Sequence, residues 1–189
     1  QRVWAPKAQA AQSLHQACSE HGPGIFAVFS SIAALLGGTG QANYAAANAH
    51  LDGLSQLRRK SGLVSTSLQW GAWAGAGMAV ESGVLEQLER QGVGALSAAL
   101  GLCGLELALG SGTMVVVIVP LRWPLLLNQL GEDVSVFWTH FVHLSQPLSQ
   151  PSTSETAIVG QLSTHEVAAK VANLESMVLD KVHEASGAR

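Results

Sequence analysis

Near the start of this chain lie four residues of types that together can move a proton: Lys7, Ser31, Tyr44 and Asn48. Tyr44 follows Ser31 by thirteen residues, and Asn48 follows Tyr44 by four. The stretch "FSSIAALLGGTGQANYAAAN" (29–48) ends an apolar run in two serines, passes a glycine-rich turn and enters an alanine-rich segment. A spacing of four puts Tyr44 and Asn48 one turn apart on one helix face. Tyr44 falls in the first turn, where the positive end of the helix dipole favours a phenolate. A free phenol is a weak acid at neutral pH, so a proton-donating tyrosine needs a cation beside it to stabilise what proton loss leaves. Lys7 is the candidate, because it shares helical spacing with Val3, Ala10, Leu14 and Ala17 and must point into the protein or a cleft, where an ammonium needs partners. Ser31 ends a strand, and the carboxyl ends of parallel strands are where α/β sheets bind ligands. A lysine, a phenol that passes a proton to a carbonyl oxygen and a serine that hydrogen-bonds the same oxygen suit reduction of a ketone. The hydride must come from a cofactor, since no side chain supplies one.

The elements that would position these groups follow from periodicity. Residues 3–18 read as a helix, and "GIFAVFSS" (24–31) as a strand covered on both faces. "GGTGQ" is a turn, 43–61 a helix stopped by Gly62, and 64–70 a second strand. Residues 72–95 are small-residue loop and short helix, 97–110 a helix and 113–119 a third strand. Strands alternating with helices predict an α/β fold with a parallel sheet, the C-terminal part of a doubly wound (Rossmann-like) sheet with flanking helices. Three strands are few for such a domain, so the first is expected to have further neighbours. Residues 1–144 form this catalytic part. Residues 145–162 are a Ser/Pro/Thr-rich linker. In 163–189, Ser163 and Glu166 make a capping-box pattern ahead of an apolar stripe, the expected first helix of another domain.

Composition narrows the partners. A net charge of -3 with 12% charged residues leaves no electrostatic footprint for nucleic acid. Arg58, Arg59 and Lys60 read as a solvated helix end favoured by the dipole. "MVVVIVPLRWPLLL" (114–127) is cut by Pro120, Arg122 and Pro124 and reads as a buried strand with its exit, not a membrane span. Cys18 and Cys103 form neither a disulfide framework nor a metal-ligand spacing, and no signal peptide opens the chain, which fits a reducing, cytoplasmic compartment. The opening Gln1 and the abrupt close "EASGAR" suggest a fragment.

The run from Val28 through Ala79 resembles the ketoreductase domain of type I polyketide synthases, within the short-chain dehydrogenase/reductase superfamily. The family's serine-to-tyrosine interval of thirteen, its asparagine four beyond the tyrosine, and its lysine in a "PK" followed by "LH" (Pro6-Lys7, Leu14-His15) are all present. The resemblance implies NADPH-dependent reduction of a β-ketoacyl thioester on an acyl carrier protein, beside other domains of one multienzyme. It implies Tyr44 as proton donor, Ser31 as hydrogen-bond donor to the carbonyl oxygen, Lys7 as electrostatic tuner and Asn48 as organiser of a proton relay. It places Trp70 and Gly71 with Lys7 and Tyr44 at the cofactor, and Leu36, Gln41, Gly77 and Met78 at the substrate and its lid. Leu36, eight before Tyr44, stands where one stereochemical class carries tryptophan. The glycine-rich dinucleotide turn is absent from the sequence, and "GGTG" lacks its spacing. Arg122, before Trp123, departs from the family pattern. A silent structural copy and an epimerase with the same residues are the alternative readings.

Overall fold

The computed structural model describes residues 2–19, 22–75, 84–129, 136–139 and 141. Gly77, Met78, the 145–162 linker and the 163–189 segment lie outside the described residues. The chain opens with a π turn, Ala5–Gln9, that runs into α1 (Ala10–Ala17). Then come β1 (Ala27–Ser31), α2 (Ala33–Leu36), α3 (Ala42–Lys60) and β2 (Thr66–Trp70). After these follow α4 (Val84–Arg90), α5 (Ala98–Gly110), β3 (Val115–Ile118), α6 (Trp123–Gln129) and α7 (Val136–Thr139).

The three strands are parallel in the order β1-β2-β3, as the alternation of strand and helix predicts. Ser31 pairs with Trp70 and Trp70 with Ile118, so the three strands end level at one carboxyl edge. β2 is central and all five of its residues are buried. Because side chains alternate across a strand, its two faces differ in chemistry. Leu68 and Trp70 join Leu96, Ala108 and Ile118 in an apolar layer under α5. Ser67 and Gln69 face α3 with Ser30 and make polar contacts there, beside an apolar cluster of Ala11, Phe26, Val28, Leu51 and Leu54.

α3 stops where the sequence predicts. Leu63 N–H bonds the Arg58 carbonyl and Gly62 N–H the Arg59 carbonyl, while Gly62 holds a φ of 76°. This pair of bonds around a left-handed residue satisfies carbonyls that a helix end otherwise leaves open. α5 starts at Ser97, whose hydroxyl accepts from Leu100 N–H.

Three expectations change. β1 is not covered on both faces: Val28 and Ser30 are buried, but Phe29 is 55% exposed, because α5 lies over β2 and β3 and no described element covers that side of β1. β3 is likewise only partly buried, with Val117 40% exposed. The first helix buries Ala8 and Ala11, not the stripe through Leu14, which is 59% exposed. The π turn adds a residue to one turn and shifts the phase of everything beyond it, which a 3.6-residue period cannot anticipate.

Arg58 is the third correction. It is 1% exposed, not solvated. Its guanidinium lies 3.7 Å from the Phe26 ring centroid, donates to the Val64 carbonyl and contacts His15 Nδ1 at 2.9 Å. Burial pushes its pKa below the usual value, and the Cys18 thiol acts in the opposite direction. Arg122, unexplained by family pattern, donates to the Glu89 carbonyl at 2.7 Å and so closes the end of α4.

Two glycines mark opposite stability outcomes. Gly92 has a φ of 84°, and an added Cβ would meet Leu126 N at 2.7 Å and the Arg122 carbonyl oxygen at 2.8 Å. Gly92→Ala is expected to lower the unfolding free energy by about 2–3 kcal/mol. Gly53, inside α3 with nothing near its missing Cβ, should gain about 0.5–1 kcal/mol as Gly53→Ala. Urea midpoints of the two variants, moving in opposite directions, check both.

Candidate active site

Lys7 sits in the π turn just after Pro6, an arrangement that turns its half-buried side chain toward the carboxyl edge of the sheet. Its ammonium donates to the Phe29 carbonyl at 3.0 Å and to Asn48 Oδ1 at 2.9 Å. It also lies 5.5 Å from the centroid of the Tyr44 ring. Among the described residues the one ion pair is Arg90 with Glu86, so Lys7 is held by neutral oxygens alone. Its charge is therefore not cancelled by a carboxylate and acts on whatever approaches.

Asn48 is completely buried in α3. Its Nδ2 donates to the Tyr44 carbonyl at 2.8 Å. An ammonium has donors and no acceptor, so only the oxygen of the carboxamide can face Lys7, and the NH2 must face Tyr44. The amide orientation follows from its neighbours. Tyr44 itself is half-buried, with its backbone N–H bonded to Asn43 Oδ1 at 2.8 Å.

Ser31 is half-buried at the end of β1, and its Oγ accepts from Ala33 N–H at 3.2 Å. That local bond occupies a lone pair and leaves the hydroxyl proton to donate elsewhere. The structure thus brings Lys7, Tyr44 and Asn48 into contact, while Ser31 stands at the end of β1 with its local bond to Ala33 N–H and is not joined to the other three by a hydrogen bond among the described residues. Trp70 stands next to Ser31 across the sheet, 8% exposed, its indole Nε1 buried with no hydrogen-bond partner. Its ring packs against Phe29 and Trp73. Gly71 follows where a Cβ would lie 2.7 Å from Val119 Cγ2, so that any side chain there would force Val119 to shift. Leu36 closes α2, half-buried, and Gln41 is exposed just before α3.

Two buried polar positions beside the site escaped the sequence reading. Ser30 Oγ donates to the Asn48 carbonyl at 3.1 Å. Asp52, one turn beyond Asn48, accepts from Ser67 Oγ at 2.6 Å and Gln69 Nε2 at 2.8 Å. Tyr44, Asn48, Asp52 and Ser55 recur at spacings of four and three. That is the periodicity of a buried helix face, but in polar residues, which a search for apolar stripes passes over.

A family profile described as "KR domain" matches residues 1–75. The chain is similar to "Polyketide synthase GfsB" of Streptomyces halstedii, 38% identical over 185 residues, spanning 96% of this chain and 3% of the relative. Among solved structures it is similar to "Structure of A-type Ketoreductases from Modular Polyketide Synthase", with 36% identity and a TM-score of 0.63.

The chain belongs to the polyketide synthase ketoreductases.

A second solved ketoreductase, "Structure of A1-type ketoreductase", gives 33% identity and a TM-score of 0.64 over 70% of this chain. The parallel sheet with flanking helices is the Rossmann-like fold of these ketoreductases. This ketoreductase chain spans 27% and 28% of those two solved chains and a few per cent of its curated relatives.

The Asp52 clamp generates a stability prediction. Asp52→Ala leaves two buried donors without their acceptor and should cost about 3 kcal/mol. A lowered urea midpoint at unchanged slope checks it.

Proposed function

We propose that this chain carries the proton-donating machinery for NADPH-dependent reduction of a β-ketoacyl thioester to a β-hydroxyacyl thioester. The acyl chain would be presented by an acyl carrier protein within a polyketide multienzyme. The observation that supports this best is the cluster of Lys7 on Asn48 Oδ1 and beside the Tyr44 ring, with all four residue types of the family at their family spacing.

Two features fit a nicotinamide cofactor at the carboxyl edge. Trp70 carries a buried indole N–H with no hydrogen-bond partner, and Lys7 has an ammonium without a carboxylate partner among the described residues. These residues would hold the cofactor, whose chemistry is the supply of hydride to the substrate carbonyl carbon. Tyr44 donates its phenolic proton to the carbonyl oxygen. Ser31 gives that oxygen a second hydrogen bond through its free hydroxyl proton, stabilising the negative charge that develops there. Lys7 favours the phenolate as the proton leaves, and Asn48 holds Lys7 at its working distance. Leu36, Gln41, Gly77 and Met78 are proposed to border the acyl chain.

The test uses the full-length protein that carries this chain, with NADPH and a β-ketoacyl thioester loaded on a carrier protein or on N-acetylcysteamine. Steady loss of nicotinamide absorbance with formation of the β-hydroxy product is expected. Tyr44→Phe should lower kcat by about 10²–10⁴-fold while cofactor affinity stays within twofold. Undiminished turnover in that variant would refute the assignment of the proton donor.

A further inference from the structure

We infer that Ser30 is a positioning residue for the reductase site, acting through Asn48, an inference that rests on the reductase reading above. The buried hydroxyl of Ser30, 4% exposed, needs an acceptor, and of those around it the bond goes to the Asn48 carbonyl at 3.1 Å. That carbonyl does not need Ser30, because inside α3 it already accepts the helical bond of the residue four further on. The Ser30 bond is thus extra for satisfying the backbone, and what it adds is location.

The location matters because of what the neighbouring residue does. Phe29 offers its carbonyl to Lys7, and Lys7 passes a second bond to Asn48 Oδ1. Ser30, next in β1, grips the main chain of the same Asn48. Strand, ammonium, carboxamide and helix backbone therefore close into a ring whose last link is the Ser30 hydroxyl. With that link intact, the turn of α3 bearing Asn48 is fixed to the strand end that carries Ser31, and the Nδ2 bond to Tyr44 ties the phenol's own turn to it. Without it, the carboxamide reaches β1 only through the flexible lysine stem.

The energetics keep the idea testable. Ser30→Ala removes a donor and leaves no buried group unsatisfied, so the fold survives. Ser30→Thr keeps the hydroxyl on a β-branched residue suited to a strand. In the full-length protein, Ser30→Ala is expected to lower kcat about tenfold with KM and cofactor affinity within twofold. Ser30→Thr should recover most of the loss. The second readout is independent of turnover: the Asn48 side-chain amide resonances in protein labelled with ¹⁵N-asparagine, assigned with Asn48→Ala, should shift in Ser30→Ala and return in Ser30→Thr.

A Ser30→Ala protein with unaltered kcat and an unmoved Asn48 amide overturns the inference. So does a kcat loss that only tracks a smaller folded fraction in calorimetry. If the parent protein reduces no β-ketoacyl thioester, the reductase reading fails while the amide shifts still decide whether Ser30 places Asn48.

Discussion

The bond from Lys7 Nζ to Asn48 Oδ1, 2.9 Å long, sets the terms for the rest of the site. An ammonium only donates, so it dictates which end of a buried carboxamide faces it, and the carboxamide then dictates which carbonyl of α3 it touches. Withdrawing a charge from water is costly unless it is well hydrogen-bonded. Here the compensation comes from two neutral oxygens, one from a strand end and one from a helix side chain. A carboxylate in their place would have held the lysine more strongly and cancelled its field. The π turn at Ala5–Gln9 is the backbone device that brings the lysine there, in keeping with the frequency of such turns at functional sites.

The sheet divides its labour between faces. On the α5 side Leu68, Trp70, Leu96 and Ile118 give burial, which is strong and indifferent to direction. On the α3 side Ser30, Ser67, Gln69, Asn48 and Asp52 are matched donor to acceptor, and Ser55 meets Ser65 at 2.8 Å a turn further on. A polar interior of this kind is stable when every member is satisfied, and it specifies one arrangement. Asn48, and through it Lys7, belongs to this specifying face, whereas Ser31 alternates onto the face of Trp70.

What could be read in advance follows the range of the interaction behind it. The span of α3 and its end at Gly62 were legible because a helix terminus is a local affair of a few residues. β2 was legible as a strand, and the parallel arrangement followed from alternation with helices. The family spacing marked Lys7, Tyr44 and Asn48, which the structure brings into contact. The exposed side of β1 was not legible, since an apolar run says nothing of what lies over it. Arg58 misled because its charge near a helix end has a local rationale, whereas its true partners, Phe26, Val64 and His15, belong to other parts of the chain. Ser30 and Asp52 went unnoticed for the same reason. One serine of a pair and one aspartate acquire meaning only when the opposite element is known.

The matched face of α3 also bears on how the helix can move. Sliding it by a single residue, about 1.5 Å of rise, would part Ser30 from Asn48, Ser67 and Gln69 from Asp52, and Ser55 from Ser65 in one stroke. The helix therefore behaves like a key with several pins: it is seated fully or it is withdrawn, and small creeping excursions that would smear the distance between phenol and ammonium are suppressed.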